Sequence, residues 1–297
     1  MKLIEYHYRS APGLVLRAYS PLGFYPSAGF RHSDGCFFVN ESLIFSAVRF
    51  NPVKLAGYDP EREWISPAEI RLLASISLAI PEGSGVVYAY PDPVGYRIED
   101  AGPEHITGED FMIQARECLC RELRGRNSGF WTTMPVPPVF GGPPYEFNTV
   151  AWSHSEQNDF FKAIDVEDHL LIRGLGGLLK GWMLNRHHLF HTEACISLHI
   201  AMEASRDIVL RHLRASVSNP SDIDAANYLA RAFGEPESTE HYFAGFYTDR
   251  IKSVHPASRY GTYPEPPLAA DDFFDLYHWL CVVYRFLIAG KVPSERF

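Results

Sequence analysis

The pattern of apolar and polar residues changes near the middle of the chain. The first 50 residues hold short stretches in which the two kinds alternate, separated by Gly, Pro, Ser and Asn. Alternation with a period of two is typical of strands joined by turns. From residue 160 onward the apolar positions recur every three or four residues, which indicates amphipathic helices. The sequence therefore predicts a strand-containing N-terminal part and a helical C-terminal part.

Two helices are predicted within the N-terminal part. Ser66 and Glu69 form a capping box, and Pro67 occupies the first helical position between them. A second helix is predicted from Gly108 to Leu123, with an apolar side that covers only part of its surface. Together with the strands, these helices predict an α+β domain over residues 1–125.

A proline-rich segment follows and separates the two parts. Five prolines and several glycines fall between residues 125 and 149, which excludes a regular helix or a central strand. Aromatic residues in the same stretch, among them Phe130 and Trp131, argue against a fully solvated linker. We interpret residues 126–159 as a strap that packs on the domains it joins.

The C-terminal part, residues 160–297, predicts an all-α bundle of five helices joined by short connections. Four glycines interrupt the apolar face of the first helix, and we expect a neighbouring helix to approach closely there. The third helix ends at Gly234, a typical helix terminator. The predicted helices fall at about 166–184, 191–213, 222–233, 239–254 and 271–289.

Composition narrows the functional classes. The formal net charge of −9 argues against an extended basic surface for duplex nucleic acid but leaves room for a local basic cleft. The chain has no apolar run long enough to span a membrane, and Glu5, His7 and Arg9 interrupt the region where a signal peptide is apolar. Five scattered cysteines without a CxxC pair suit reduced thiols. We expect a cytoplasmic protein.

The stretch from Tyr242 to Tyr263 carries the strongest candidate chemistry. Arg250 can hold a phosphate through two parallel donors, and His255 can exchange a proton near neutral pH. Spacing alone also selects two other Arg–His pairs, Arg186/His191 and Arg206/His212. The pair Arg250/His255 differs from them in context, because a helix pattern ends there, Pro256 follows the histidine and an aromatic loop leads to the last helix.

These residues carry a family resemblance. Residues 165–297 resemble HEPN domains of the Apea-like type, which are helical bundles, through three stretches. The stretches are LLIRGLGGLLKGWMLNRHHLFHTEACISLHIAMEAS, DRIKSVHPASRYG and PLAADDFFDLYHWLCVVYRFLIAG. The hallmark of the family is an arginine followed after four to six residues by a histidine, and this spacing falls on Arg250 and His255.

The resemblance implies an endoribonuclease that needs no metal ion or cofactor. In active members two Arg–His pairs meet across a homodimer interface and cleave single-stranded RNA, leaving a 2′,3′-cyclic phosphate. His255 would act on the ribose 2′-hydroxyl or on the leaving oxygen, and Arg250 would stabilise the charged phosphorane. A role in bacterial defence or stress is implied in the same way. Active members often have a polar residue directly after the arginine, whereas this chain has Ile251.

A second hypothesis belongs to a different functional class. Many HEPN relatives are catalytically silent, so the C-terminal bundle would serve as a dimerisation or interaction module, and the N-terminal domain would bind a partner or ligand. On this hypothesis Arg250 forms a salt bridge with Glu240, Asp249 or Asp271, and His255 caps a turn.

Other polar residues are weaker candidates for the same site. Lys252, Ser253, Arg259 and Tyr260 flank the pair and could bind phosphate or stack on a base, although an exposed polar loop explains them equally well. Glu203 lies amid apolar residues, which predicts that it is buried or half-buried. It would pair with an arginine of the bundle or lie near the active cleft.

A histidine cluster before the second helix of the bundle raises the question of a metal site. His187 and His191 are one helical turn apart, and Glu193 follows. In zinc proteases with this spacing a glutamate directly follows the first histidine, whereas here that position is His188. We interpret the cluster as a solvated helix start and expect no metal site.

Overall fold

A computed structural model describes most of the chain and divides it into two compact units, Met1–Asn158 and Asp159–Phe297. The described residues are 1–5, 13–21, 24–26, 29–40, 43–50, 65–80, 89–92, 94–98, 106, 108–125, 148–150, 153–185, 188–234, 243 and 270–292.

The first unit is built on an antiparallel sheet, as the alternating pattern predicts. Its strands lie in the order β1-β8-β2-β6-β5-β4, and β7 pairs with the end of β2. A separate parallel pair is formed by β3 and β9. The strands are β1 Leu3–Glu5, β2 Gly13–Pro21, β3 Phe24–Pro26, β4 Phe30–His32, β5 Gly35–Asn40, β6 Leu43–Phe50, β7 Ala89–Pro91, β8 Tyr96–Ile98 and β9 Asn148–Val150.

Both faces of this sheet are covered, because successive side chains of a strand point to opposite faces. On one face the core contains Leu14, Leu16 and Ala18 of β2 with Phe45 and Ala47 of β6. Helix α2, Glu109–Gly125, packs against that face through Phe111, Ala115 and Leu119. The sequence predicts these three residues on one side of the helix together with Cys118, which is buried, and Glu122, which is exposed.

Helix α1, Pro67–Leu78, packs on strands β5 and β6 and begins with the predicted capping box. The Ser66 hydroxyl accepts a hydrogen bond from the backbone N–H of Glu69, and the Glu69 carboxylate accepts one from the backbone N–H of Ser66. Each bond satisfies a donor that the first helical turn leaves without an internal partner. The capping box thus places the Glu69 carboxylate at the N-terminal end of α1, close to Arg17 and Tyr19 on the sheet.

Of the proline-rich segment, residues 126–159, the structure describes only the C-terminal end. Residues 126–147 lie outside the described residues, whereas β9 and the start of helix α3, His154–Ala163, lie within them. In the first unit, Gln157 of α3 is buried and its side-chain amide donates to the hydroxyl of Ser75 on α1 at 2.9 Å.

The second unit is mostly helical. Helix α4 is followed by a short 3-10 turn, His188–Phe190, and then by the long helix α5. Gly234 terminates helix α6, as predicted, and its φ of 75° is the left-handed conformation that glycine adopts most readily. The helices are α4 His169–Asn185, α5 His191–Leu213, α6 Asp222–Phe233 and α7 Ala270–Ala289.

Helices α4 and α5 approach closely along glycines, as the sequence predicts. A Cβ atom at Gly177 would lie 2.7 Å from the backbone oxygen of Ser197, and one at Gly181 would lie 2.6 Å from Leu198. Both distances are too short for a real contact. The two helices can therefore approach this closely only because glycine has no Cβ atom. Glycine costs helix stability of about 1 kcal/mol relative to alanine, and the packing here offsets that cost.

The other helix predictions for this unit have mixed outcomes. The last helix is confirmed but begins at Ala270, one residue before the predicted start. The helix predicted from Thr239 to Val254 lies outside the described residues except for Phe243. Among the helices of the described residues, none has the length and apolar character needed to cross a membrane.

Candidate functional site

The chain between helices α6 and α7 carries most of the predicted site. These predicted residues lie outside the described part of the chain, so their geometry stays a prediction: Arg250, Lys252, Ser253, His255, Arg259 and Tyr260. The helices on either side are described. Helix α6 ends at Phe233 and helix α7 begins at Ala270.

Aromatic rings connect this part of the chain to both helices. Phe243 is fully buried, and its ring stacks on that of Phe233 with 5.5 Å between the centroids. The ring of Trp279 on α7 meets Phe243 edge-on, also at 5.5 Å. Phe286, seven residues and about two helical turns further along α7, meets Phe233 at 5.5 Å. Phe243 therefore lies against α6 and α7 together, seven residues before Arg250.

Glu203 is half-buried, one of the two states that the sequence predicts for it. Its side chain is 50% exposed, and its carboxylate lies 3.7 Å from Arg206 on the same helix. The predicted pairing with an arginine is therefore confirmed, and the predicted alternative of full burial does not hold. The reason is helical geometry: Glu203 belongs to the outward stripe that also includes Ile196, Ile200 and Asp207, and none of these is buried.

Arg206 belongs to the contact between α5 and α6. Its Nε donates to Asp222 Oδ1 at 2.7 Å, and Asp222 is the first residue of α6. Burial alone would lower the pKa of Arg206, but the hydrogen bond and the charge of Asp222 outweigh it and raise the pKa. His212, the partner of Arg206 in the Arg–His spacing, packs instead on the ring of Tyr228. Both side chains of the Arg206/His212 pair therefore contact α6, and we assign this pair a structural role.

His191, from the predicted histidine cluster, takes part in a hydrogen-bonded chain at the start of α5. His191 Nδ1 lies 2.9 Å from Asn185 Oδ1, and His191 Nε2 lies 3.5 Å from the thiol of Cys195. An amide oxygen can only accept, so Nδ1 donates to Asn185 Oδ1, while the Cys195 thiol lies within hydrogen-bond distance of Nε2. Cys195 is fully buried, which keeps its thiol from a substrate.

This arrangement uses both ring nitrogens of His191 for contacts within the protein. The ring also packs on Phe273 of α7 at 5.8 Å, so the histidine joins α4, α5 and α7. Within the described ranges, which omit His187, no group of three or more His, Cys, Asp or Glu side chains is placed to hold a metal ion. Sequence reasoning had found His191 but not its partners Asn185 and Cys195.

The first unit contains a buried ion pair that sequence reasoning missed. Arg17 on β2 donates to both carboxylate oxygens of Glu69, and neither side chain is more than 5% exposed. Arg17 Nη1 also donates to the backbone oxygen of Asp92 at 2.6 Å. Burial alone would lower the pKa of Arg17, but the charge of Glu69 and its hydrogen bond raise it above the ordinary value.

Tyr19 and Ser46 extend the same network. The Tyr19 hydroxyl donates to Glu69 Oε1 at 3.4 Å and lies 2.9 Å from the Ser46 hydroxyl. Burial and the negative charge of Glu69 raise the pKa of Tyr19 well above its usual range, so the phenol stays protonated. With its donors and acceptors paired inside the protein, this network fixes the N-terminal end of α1 on the sheet. In the sequence, the one indication of this buried network is Arg17, an isolated arginine in the apolar strand LVLRAYS.

A shorter polar chain lies nearby in the same unit. His32 Nε2 is 3.0 Å from Gln157 Oε1, and the Gln157 amide donates to Ser75 as described above. Ser75 in turn donates to the backbone oxygen of Leu72 at 2.8 Å. The chain fixes the position of a half-buried histidine relative to α1, and its main effect is to join secondary-structure elements of this unit.

Comparisons with known proteins give no further assignment, because no protein-family profile, curated protein or solved structure matches this chain.

Proposed function

We propose that the C-terminal unit is an endoribonuclease that acts on single-stranded RNA without a metal ion, with Arg250 and His255 as its catalytic residues. The observation that carries the proposal is the position of the motif. An arginine and a histidine with the HEPN spacing lie in the connection between the last two described helices of a helical unit, and Phe243 is packed on both helices. The resemblance to HEPN domains supplies the reaction.

The chemistry follows from the two side chains. The ribose 2′-hydroxyl attacks the adjacent phosphorus, the bond to the 5′ oxygen breaks, and a 2′,3′-cyclic phosphate is left. His255 takes the proton of the 2′-hydroxyl or gives one to the departing 5′ oxygen. Arg250 donates two parallel hydrogen bonds to the phosphoryl oxygens as their negative charge increases. We propose that two copies of the chain together complete one site, through pairing of the C-terminal bundles.

The test is cleavage of a mixed-sequence single-stranded RNA in the presence of EDTA. We expect His255→Ala to lower the rate by about 100-fold or more, the range found for loss of a general acid or base. Arg250→Lys keeps the charge but loses the bidentate geometry, so it should be impaired nearly as much as Arg250→Ala. His212→Ala is the matched control, because His212 belongs to the structural Arg–His match, and it should cleave like the wild type.

Two results of this cleavage assay would contradict the proposal in different ways. Cleavage that persists in both Arg250→Ala and His255→Ala would mean that another pair of residues is responsible. A folded wild-type protein that leaves RNA intact would contradict the proposal and favour the interaction module.

Exposed apolar side chains in the second unit favour that second candidate function. Leu189, in the turn before α5, is 77% exposed, and Phe274 near the start of α7 is 48% exposed. Phe274 meets the ring of Trp182 on α4 at 5.8 Å, so it extends an aromatic cluster toward solvent. In an interaction module such a surface would bind a second copy or another protein, while the N-terminal unit bound a ligand or partner. Light scattering of Phe274→Glu tests whether this surface is the interface, since the variant should then lose a wild-type dimer. Because the nuclease also needs a dimer, the interaction module is favoured only if such a wild-type dimer leaves RNA intact.

A further inference from the structure

The side of helix α4 that faces solvent carries basic side chains. Three residues of this helix are exposed, His169, Arg173 and Lys180, while the others are buried or half-buried. Each residue of an α-helix turns by about 100°, so the three exposed positions lie within an arc of roughly 40°. The two charged residues of α4, Arg173 and Lys180, therefore lie on one outward stripe, and we call this pair the α4 cations.

The α4 cations have no acidic neighbour along the helix. The chain contains 36 Asp and Glu residues, but none falls between His169 and Thr192, a stretch that includes all of α4. Asp168, just before the helix, is already paired with Arg211 and caps α4 through its Oδ1. Among the described residues, no carboxylate lies within ion-pair distance of either α4 cation.

The neighbouring helix α5 carries its charges in a different arrangement. Arg206 pairs with Glu203 and Asp207 of the same helix. Such opposite charges close together are usual on a solvated helix face, because each pair lowers the local net charge. The α4 cations depart from this arrangement, although the formal net charge of the chain is −9. They produce a local positive potential that attracts an anion.

The spacing of the α4 cations indicates which kind of anion fits them. They are seven residues apart, which is about 10 Å along the helix axis. Gly176, between them in the sequence, is buried, so the cations act as two separate points of charge rather than as the walls of one groove. A single phosphate group reaches only one of them. A single strand of nucleic acid carries a phosphate at every nucleotide and bends easily, so it can bring a phosphate to each.

We infer that Arg173 and Lys180 bind the phosphate backbone of single-stranded RNA, each through one phosphate. The inference rests on the proposed function for the identity of the nucleic acid, and it adds a substrate contact on helix α4. An acidic protein segment fits less well, because a stable protein interface has an apolar centre and none of the exposed residues of α4 is apolar. Phosphate contacts carry no base preference, so binding should be independent of sequence.

The experiment measures binding of a fluorescein-labelled single-stranded RNA of mixed sequence by fluorescence anisotropy at several salt concentrations. The parent protein and all variants carry His255→Ala and are kept in EDTA, so that the RNA stays intact. The test variant is Arg173→Gln/Lys180→Gln, since glutamine removes the charge and suits an exposed helix position. Arg49→Gln/Arg121→Gln is the matched control, because it removes the same charge from two exposed arginines of the first unit.

We expect the test variant to bind RNA more weakly by about tenfold or more at low salt, because two phosphates lose their cations. On single strands each phosphate contact contributes roughly 0.7 to the slope of log affinity against log salt, so the slope should become shallower by about 1.4. A purely structural role of the α4 cations would leave this slope unchanged. The exchanged variant Arg173→Lys/Lys180→Arg keeps both charges and should bind like the parent protein, and the control should keep the parent slope.

Three results of the binding assay would overturn the inference: no RNA binding by the parent protein, an unchanged salt slope in the test variant, or an equal loss of affinity in the control. Displacement of the RNA by poly-glutamate at equal concentration of charge would also overturn it, because the ligand would then be an acidic protein segment.

Failure of the proposed function has a different signature. In that case, protein with His255 intact binds RNA through the α4 cations but leaves the RNA uncut, and the inference holds. In the converse case, protein with His255 intact cleaves RNA while the test substitutions leave its KM unchanged. The proposed function then holds and the inference fails.

Discussion

The hydroxyl of Tyr284 lies where the side chain of residue 174 would be if that residue were not glycine. A Cβ atom at Gly174 would be 1.8 Å from the Tyr284 hydroxyl and 3.0 Å from the Cβ of Ala204. The same hydroxyl donates to the backbone oxygen of Ala201 at 2.7 Å. Helices α4, α5 and α7 therefore meet at one point, and the hydrogen bond fixes where α7 lies along its neighbours. Helix α7 directly follows the segment with Arg250 and His255.

Gly174→Ala should destabilise the protein although alanine is the better helix former. The Tyr284 ring is fully buried and hydrogen-bonded, so it cannot move aside cheaply. We expect a net loss of about 1–3 kcal/mol in the free energy of unfolding, the usual cost of overpacking a core. Urea denaturation measures it, with Lys180→Ala on the exposed side of the same helix as the control, which should change stability by less than about 0.5 kcal/mol.

A double-mutant cycle identifies the contact responsible. Tyr284→Phe removes the atom closest to the new methyl group, so Gly174→Ala should cost less in the Tyr284→Phe background than in the wild type. Equal costs in both backgrounds would show that the clash lies elsewhere.

The glycines of α4 show what a sequence predicts well. Their recurrence in an otherwise apolar helix indicated a close helix neighbour, because a glycine that weakens a helix needs a compensating contact. The capping box of α1 and the end of α6 at Gly234 are predictable for the same kind of reason, since a few adjacent residues determine the backbone geometry. The residue that packs against each glycine cannot be predicted in this way. No residue near Gly174 in the sequence indicates a contact with Tyr284, which lies 110 residues later.

The buried pair Arg17–Glu69 should be sensitive to removal of one partner. Arg17→Met leaves the Glu69 carboxylate buried without its cation, and we expect a loss of about 3–5 kcal/mol in unfolding free energy. Arg49→Met is the matched control in the same sheet, because the pair Arg49–Asp34 is nearly half exposed on both sides, and it should cost less than about 1 kcal/mol.

The double variant Arg17→Met/Glu69→Gln separates charge from packing. Glutamine still closes the capping box at the start of α1, so the double variant removes both charges and keeps the cap. Its stability should lie well above that of Arg17→Met alone when both are unfolded by urea. If it is as unstable as Arg17→Met, the uncompensated carboxylate is not the cause of the loss.

This network also marks a limit of sequence reasoning. An arginine in the middle of an apolar strand signals a buried partner, but Glu69 is 52 positions away and has an independent explanation as a capping residue. Glu203 gives the opposite case. Its apolar neighbours left full burial and half-burial both open, and only its place on the helix, on the outward stripe, decides for half-burial.

Asp168 provides a prediction with a pH dependence. Its Oδ1 accepts from the backbone N–H groups of Leu170 at 3.1 Å and Leu171 at 3.3 Å, which caps helix α4, and its carboxylate pairs with Arg211 of α5. Burial alone would raise the pKa of Asp168, but the hydrogen bond from Arg211 and those from the backbone outweigh it and lower the pKa from its ordinary value.

A lowered pKa means that Asp168 stabilises the folded state above its ordinary pKa and loses this effect as the pH falls through its folded pKa. Asp168→Asn keeps the cap but loses the ion pair, so it should cost about 0.5–1 kcal/mol at pH 7 after solvent screening of the half-exposed Arg211. The difference from wild type should shrink in acid. Thermal unfolding between pH 7 and pH 2 measures it, and a difference that is constant with pH would contradict the ion-pair explanation.

The most direct test of the central proposal is the cleavage of one RNA oligonucleotide with and without a single 2′-hydroxyl. The main cleavage site is first located with wild-type protein in EDTA, and the nucleotide on its 5′ side is then replaced by its 2′-deoxy form. We predict cleavage of the all-ribose strand to a 2′,3′-cyclic phosphate, no cleavage at the deoxy position, and no cleavage of either strand by His255→Ala. Cleavage at the deoxy position, or cleavage by His255→Ala at the wild-type rate, would contradict the account.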